Sequence, residues 1–179
     1  MQDVDKNPNR LEAADSAQRR LFQRLVDLGI AVTIEPYPIH RTVEEGKALR
    51  GQMAGQFTKN LLLKDKKNRL FLVAAHEDLV IDLKTLHKRI DASGQLRFAP
   101  AEEMRTTLGV EPGALTPLGI INDGGIAVTI VVDVGLLAVD QINFHPLIQA
   151  ESLGIRPTDF LKFVESCDRE PLLIDFNSA

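Results

Sequence analysis

Two apolar runs separated by a short polar turn are the strongest constraint that this sequence places on its fold. The runs cover residues 60–64 and 69–75, and the residues between them are Asp65-Lys66-Lys67-Asn68. Strand-forming runs joined by a short polar loop are typical of a β-hairpin. The sequence therefore predicts a hairpin whose two strands lie in the core.

Apolar spacing and capping residues predict further elements around this hairpin. Residues 10–28 carry apolar side chains at helical spacing, and Gly29 stands where a C-terminal cap belongs. Thr42 and Glu45 have the spacing of a capping box, which predicts a short helix that ends near residue 50. The other predicted helices cover residues 82–90, 100–108 and 158–165, and the other predicted strands cover residues 30–35, 126–132, 140–144 and 172–176.

The order of these elements predicts an α+β fold. Helices and strands are mixed, but no βαβ pattern repeats, so we expect one curved sheet with helices around it. A chain of 179 residues suits a single domain with a sizeable core.

Several classes of protein are disfavoured by composition. The single cysteine, Cys167, allows no internal disulfide, and a lone cysteine is more often a packing residue than a nucleophile. No apolar run approaches the roughly 20 residues of a membrane span. The residues from Met1 to Lys6 lack the apolar core of a signal peptide, so we expect a cytoplasmic location and no membrane partner.

Charge is distributed unevenly along the chain. The formal net charge is −4, yet residues 41–97 contain 12 lysines and arginines against 7 acidic residues. A basic middle segment on an acidic chain allows a local phosphate-binding face. The alternative is an ordinary solvated surface.

No familiar catalytic or metal-binding motif is present in the sequence. There is no Walker phosphate loop, no Gly-x-Ser-x-Gly elbow, no His-Glu-x-x-His and no Cys-x-x-Cys. We therefore predict no metal site and no cofactor.

Three segments remain as candidates for chemistry. Lys59 and Asn60 stand where the chain enters the first hairpin strand, and a lysine there can hold a phosphate. Residues 109–119 contain three glycines and two prolines, so their main-chain N–H groups can approach a ligand. His145 precedes Pro146 at the end of a short apolar run. Each segment also has a purely structural interpretation. Lys59 and Asn60 can simply begin a strand, residues 109–119 can form a turn, and His145 can be a structural histidine.

Taken together, these segments resemble the YbaK/prolyl-tRNA-synthetase-associated (INS-like) editing superfamily, and most of all its free-standing ProXp-ala (PrdX) branch. The matching stretches, in order, are residues 42–45, 58–65, 66–73, 75–78, 108–117, 118–123 and 143–146. Their order and spacing agree from about residue 14 to the C-terminus. The resemblance implies one editing domain over residues 1–179, with a barrel-like core of mixed sheet and a flexible extension at residues 1–12.

The resemblance also implies a function. Members of this family deacylate mischarged tRNA(Pro), and the ProXp-ala branch removes alanine in trans after prolyl-tRNA synthetase has erred. The expected partners are thus the 3′ acceptor end of the tRNA and the synthetase itself.

The family's functional residues fall on matching positions of this chain. Lys59 is expected to hold the phosphate of the terminal adenosine, His145 lies near the acceptor end, and both count as catalytic. The family's Gly-x-x-x-Pro loop, with Gly113 and Pro117 as its catalytic members, is expected to cradle the ester. The expected substrate-binding residues are Thr42, Asn60, Ala114, Leu115 and Thr116. Where many relatives read Asn-Thr-Ala-Thr after the histidine, this chain has Gln149-Ala150-Glu151-Ser152.

The sequence leaves several functions open. Metal-independent hydrolysis of Ala-tRNA(Pro) is the first hypothesis, since an activated ester needs little beyond positioning and stabilisation of negative charge. The same chemistry on Cys-tRNA(Pro) or on another small amino acid is the second. A non-catalytic nucleic-acid-binding module is the third, and an interaction protein without a ligand is the fourth. The oligomeric state is left open.

Overall fold

The centre of the molecule is formed by eight β-strands in the described part of the chain. The computed structural model describes residues 16–39, 42–125 and 127–177, so the extension predicted at residues 1–12 lies outside the described part. The strands are β1 Thr33–Pro36, β2 Gln56–Lys64, β3 Leu70–His76, β4 Arg97–Phe98, β5 Val128–Asp133, β6 Ile142–Phe144, β7 Glu151–Ile155 and β8 Leu172–Ile174.

Helices flank the strands. The α-helices are α1 Ser16–Asp27, α2 Val43–Leu49, α3 Leu83–Arg89, α4 Ala101–Glu103 and α5 Pro157–Ser166. Helix α4 continues as a π-helical turn over Met104–Leu108, and 3₁₀ turns cover Pro117–Asn122 and Val134–Ala138. The predicted capping box is confirmed at α2, where Thr42 Oγ1 accepts a hydrogen bond of 3.1 Å from the Glu45 N–H.

The predicted hairpin lies in the middle of a mixed sheet. The strand order is β1-β7-β6-β2-β3-β5-β8, and β4 pairs with β2 outside this path. Strands β2 and β3 are antiparallel, whereas β6 runs parallel to β2 and β5 runs parallel to β3. The mixture of both pairings agrees with the α+β prediction.

Both faces of the hairpin are buried. On strand β3, Leu72 and Ala74 belong to the main core, while Phe71 and Val73 belong to a second, smaller cluster that includes Leu86 of α3. Burial on both faces explains why β3 has a continuous apolar sequence rather than an alternating one.

Several predicted boundaries are wrong by a few residues. Strand β2 begins at Gln56, because it pairs first with β6. Lys59 and Asn60 therefore lie inside this strand and not at its entrance. Strand β1 begins at Thr33, where its pairing with β7 begins, and β8 ends at Ile174. The predicted helix 100–108 changes to π-helical geometry at Met104 and ends at Gly109, whose φ is +65°.

Pairing on one edge of β2 is interrupted. On the side away from β3, β2 pairs with β6 at Gln56 and Phe57 and with β4 at Leu63 and Lys64. Within the described residues, strand pairing of Thr58–Leu62 is to β3 alone. The sheet therefore splits along β2 and leaves a gap between β6 and β4.

Candidate functional site

A cavity of about 360 Å³ opens at this gap in the sheet. Residues 58–62 of β2 form its floor, and β6 and β4 stand at its two ends. The cavity unites residues from segments that are far apart in the sequence. The sequence-predicted residues that line it are Thr42, Lys59, Asn60, Gly113, Leu115 and His145.

Three predicted residues of the loop lie behind the cavity and not on its wall. Ala114, Thr116 and Pro117 are buried and are not among the lining residues. Thr116 caps the 3₁₀ turn, since its Oγ1 accepts a hydrogen bond of 3.3 Å from the Leu118 N–H. The Ala114 N–H donates to the Glu111 carbonyl at 3.0 Å, which closes the turn before Leu115.

Asn60 joins the loop to the sheet. Its Nδ2 donates to the Leu115 carbonyl at 2.9 Å, across the gap. A carbonyl only accepts, so this bond fixes which end of the Asn60 amide is Nδ2. The opposite atom, Oδ1, is buried and has no hydrogen-bond partner in the described part of the chain. An unpaired buried acceptor costs about 1–3 kcal/mol, which a donor on a ligand would recover.

Lys59 lies half-buried on the cavity wall, with its Nζ donating to the Leu79 carbonyl. Burial lowers the pKa of its ammonium below the usual lysine value, and the nearby carboxylates of Asp78 and Glu77 oppose that shift. A partly desolvated cation is attracted strongly to an anionic ligand group.

Gly113 occupies a backbone conformation that favours glycine, with φ at +96°. A Cβ at this position would lie 3.0 Å from Gln149 Oε1 and 3.1 Å from Gln149 Cδ. The glycine therefore allows both the turn and the close approach of the Gln149 side chain.

His145 stands at the β6 end of the cavity. Its Nδ1 lies 3.0 Å from the Glu151 carbonyl. Because the carbonyl only accepts, Nδ1 donates a proton in this contact. The ring stacks on Tyr37, with centroids 5.9 Å apart and an interplanar angle of 26°.

A charged pair lies beside this aromatic stack. Arg50 Nη1 is 2.7 Å from Glu77 Oε1, and the Arg50 guanidinium lies 4.3 Å from the centroid of the Phe57 ring. Burial raises the pKa of the Tyr37 hydroxyl, Arg50 opposes that shift and Glu77 adds to it. The β6 end of the cavity is thus aromatic and carries both signs of charge.

Sequence reasoning missed several residues that line the cavity. They are Tyr37, Phe57, Glu77, Phe98, Met104 and Asn143. Tyr37 carried a signal, since it is the only tyrosine in the chain and stands between two prolines. Residues 149–152, where the resemblance led us to expect a different sequence, contribute Gln149 and Ser152 to the wall.

Cys167 lies outside the cavity. It packs half-buried against the main core, and burial raises the pKa of its thiol. A thiol with a raised pKa carries little thiolate, so Cys167 is a poor nucleophile.

Two features are absent from the part of the chain that the structure describes. No group of three or more histidine, cysteine, aspartate or glutamate side chains is arranged to hold a metal ion within residues 16–39, 42–125 and 127–177. Over the same ranges, none of the helices has the length and apolar character needed to cross a membrane.

Comparison with known proteins identifies the family. The sequence profile described as "Aminoacyl-tRNA editing domain" matches residues 38–163, which contain every cavity residue discussed above except Tyr37. The chain belongs to the aminoacyl-tRNA editing domain family.

Relatives of this editing domain align with almost the whole chain. The bovine protein named prolyl-tRNA synthetase associated domain-containing protein 1 is 37% identical over 161 residues, which cover 88% of this chain and 94% of the relative. The prolyl-tRNA editing protein ProX of Acetoanaerobium sticklandii is 32% identical over 152 residues, which cover 84% and 92%.

Solved structures support the same fold. A crystal structure of a candidate trans-editing enzyme for prolyl-tRNA synthetase matches with a TM-score of 0.67 at 19% identity, over 90% of this chain and 97% of that chain. At this level of identity the match concerns the fold alone. It confirms the predicted fold class, a mixed sheet flanked by helices.

Proposed function

We propose that this chain is a trans-editing hydrolase that cleaves the aminoacyl ester of mischarged tRNA(Pro), with alanine as the amino acid removed. Membership of the editing family and the names of two relatives support the reaction class. The observation that carries the proposal is the Asn60–Leu115 hydrogen bond, which brings the phosphate-binding candidate Lys59 and the Gly113 loop to one cavity.

Lys59 binds the phosphate of the terminal adenosine in this proposal. Its ammonium exchanges the Leu79 carbonyl for a phosphate oxygen, which is a stronger, charge-assisted acceptor. Asn60 accepts from a ribose hydroxyl through Oδ1, the acceptor that has no partner in the described residues.

The loop at Gly113 holds the ester. Water adds to the ester carbonyl carbon, negative charge develops on the carbonyl oxygen, and the bond to the ribose oxygen breaks. The ribose oxygen takes one proton of the water, the other proton passes to the solvent, and the amino acid leaves as its carboxylate. The ribose hydroxyl next to the ester directs the water, and loop N–H groups stabilise the oxyanion. This scheme needs no metal ion, and we expect a chelator to leave the rate unchanged.

Selectivity for alanine depends on the space beside Leu115 and Gln149. A difference of one or two methylenes in a pocket is worth about 1–3 kcal/mol, which separates alanine from proline only in part. Cysteine is close to alanine in size, so Cys-tRNA(Pro) is the competing substrate. We expect the enzyme to act in the cytoplasm, on product released by prolyl-tRNA synthetase.

The test is hydrolysis of Ala-tRNA(Pro) by the wild type and by Lys59→Ala, with Lys67→Ala as the matched control. Lys67 is an exposed lysine at the hairpin turn, outside the cavity. We expect Lys59→Ala to raise KM about 10- to 100-fold through loss of one charge-assisted bond, without a change in melting temperature. The control is expected to match the wild type.

Two outcomes would contradict the proposal. Equal activity of Lys59→Ala and Lys67→Ala would remove Lys59 from phosphate binding. Salt-dependent tRNA binding by the wild type with no hydrolysis of any aminoacyl ester would favour the non-catalytic binding module instead.

A further inference from the structure

Phe98 is the one large aromatic side chain at the β4 end of the cavity among the described residues, and it is 61% exposed. An exposed phenylalanine ring contributes little to the stability of the fold, because that contribution comes from burial of apolar surface. Other aromatic residues of the cavity, such as Tyr37 and Phe57, are buried and packed against each other. The ring of Phe98 is thus available to a ligand.

The backbone around Phe98 is fixed, so the exposed ring has a defined position. Phe98 lies opposite Leu63 in the β2–β4 pairing, and the Ala99 N–H donates to the Leu62 carbonyl at 2.9 Å. Met104 and Pro112 also line the cavity. Phe98 thus forms an apolar platform in the cavity wall, and the Lys64–Glu103 ion pair beside β4 is not among the lining residues.

The platform lies at a suitable distance from Lys59. Lys59 and Leu63 are four residues apart on β2, which corresponds to about 13 Å along an extended strand. The Asn60–Leu115 bond lies between these two positions. Because side chains alternate along a strand, Lys59, Leu63 and the Phe98 opposite Leu63 lie on one face of β2 and Asn60 lies on the other, yet Lys59 and Asn60 both line the cavity at the unpaired edge of the strand. A nucleoside phosphate bound along this edge, with its phosphate at Lys59 and its ribose reaching Asn60 across the edge, directs its base towards β4.

We propose that Phe98 is the stacking platform for the base of the terminal adenosine. The inference rests on the proposed function and adds to it the residue that positions the nucleoside. Every base has an apolar face, and an aromatic ring at the mouth of a polar cavity offers it a sequence-tolerant surface. Phe98 is thus a positioning residue, remote from the ester that reacts.

Binding of adenosine 5′-monophosphate and of ribose 5-phosphate, measured by NMR titration, tests the proposal. Phe98→Ala and Phe98→Leu are expected to weaken binding of the nucleotide about 10-fold, the effect of losing one stacked base. Binding of the sugar phosphate, which has no base, is expected to stay unchanged. Phe98→Tyr keeps the ring and is expected to retain nucleotide binding.

Val80→Ala is the matched control, since Val80 is an exposed apolar residue outside this cavity. With Ala-tRNA(Pro), Phe98→Ala is expected to raise KM and to leave kcat nearly unchanged. Equal affinity of wild type and Phe98→Ala for the nucleotide would overturn the inference, as would an equal loss for both ligands, or no nucleotide binding by the wild type.

The two proposals fail in different ways. A wild type that hydrolyses no ester but binds the nucleotide in a Phe98-dependent manner would refute the proposed function and retain the base platform. A wild type that hydrolyses Ala-tRNA(Pro) while Phe98→Ala behaves identically in both assays would refute the platform alone.

Discussion

Hydrogen bonding of polar side chains differs between two parts of β2. The buried side chain in the turn after the strand is fully hydrogen-bonded, whereas the side chains in the middle of the strand are not. In the turn, Asp65 is fully buried and accepts four hydrogen bonds, from the main-chain N–H groups of Lys67, Arg69 and Ser93 and from the Arg69 side chain. In the middle of the strand, Asn60 Oδ1 has no hydrogen-bond partner among the described residues, and Lys59 Nζ donates to the Leu79 carbonyl. Satisfied groups stabilise the hairpin, whereas unsatisfied ones are available to a ligand.

Stability and ligand binding therefore reside at different positions along the same strand. The hairpin turn supports the strand that carries the cavity, and the cavity lies where pairing on that strand is interrupted. Removal of the buried carboxylate in the turn should therefore change folding without changing chemistry, and removal of the polar side chains in the middle of the strand should do the reverse.

The largest expected effect on stability is that of Asp65→Asn. The amide retains one acceptor oxygen and points N–H donors at groups that also donate, so we expect a loss of about 3 kcal/mol in the free energy of unfolding. Urea denaturation measures it, with Asp140→Asn, an exposed aspartate, as control. Activity per folded molecule should be unchanged.

The pH dependence of the same site has a definite sign. Hydrogen bonds to its carboxylate hold the pKa of Asp65 at about 2, against 3.8 in the unfolded chain, and outweigh the opposing effect of burial. The contribution of Asp65 to stability is therefore present above pH 3.8 and is lost as the pH falls towards 2. Asp65→Asn should lack this acid-dependent step, and an identical step in the variant would refute the assignment.

A smaller effect, on catalysis, is expected of Gly113→Ala. Gly113 and Gly29 both have positive φ, at +96° and +63°, but a Cβ on Gly29 would have no atom within 4 Å. Both variants should lose about 1–2 kcal/mol of stability through backbone strain. Only Gly113→Ala should also lower kcat/KM, about 10-fold, because its Cβ crowds Gln149 in the cavity.

Gly113→Ala combined with Gln149→Ala separates crowding from direct contact with the ester. Recovery of kcat/KM in the double variant would assign the loss to Gln149. Equal kcat/KM for Gly113→Ala, Gly29→Ala and the wild type would show that the loop is only a turn.

Lys59→Arg is expected to change the affinity for adenosine 5′-monophosphate a few-fold at alkaline pH. Because burial lowers the pKa of Lys59, its ammonium loses its proton at lower pH than an exposed lysine does, although Glu77 and Asp78 oppose the shift and Lys47 adds to it. The affinity for adenosine 5′-monophosphate should fall as the pH rises towards the lysine pKa. Lys59→Arg, which stays protonated, should hold its affinity to higher pH. Parallel profiles for both proteins would contradict the role of Lys59.

The smallest effect is expected of Cys167→Ser. The thiol lies outside the cavity, and its raised pKa disfavours the thiolate. Ester hydrolysis should keep its wild-type rate. Complete loss of activity in a folded variant, judged by its unchanged melting temperature, would require a cysteine mechanism.

Local sequence signals predicted the elements that local interactions form. The hairpin of β2 and β3, the capped helix α2 and the cap at Gly29 all follow from residues that are neighbours in the sequence. Strand β7 was missed, because Ser152 and Gly154 weaken its strand pattern and its partners β1 and β6 come from other parts of the chain. Gly154 is required by close packing, since a Cβ there would lie 2.2 Å from Gln141 Nε2.

The site was predictable to the extent that its motifs are local. The resemblance to the editing family pointed to Lys59, Asn60 and Gly113, and these residues line one cavity. Phe98 reaches it through the pairing of β4 with β2, which no short motif records. Phe98 in particular belongs to a two-residue strand, too short to show periodicity.

The central claim is that the cavity hydrolyses the ester of a small amino acid on tRNA(Pro). The most direct test compares deacylation of Ala-tRNA(Pro), Cys-tRNA(Pro) and Pro-tRNA(Pro) by the wild type, with and without a chelator. We expect the alanyl ester to be lost fastest, the prolyl ester to be spared and the chelator to leave all three rates unchanged. Preference for the cysteinyl ester would contradict the proposed substrate, and no hydrolysis of any of the three would contradict the proposed activity itself.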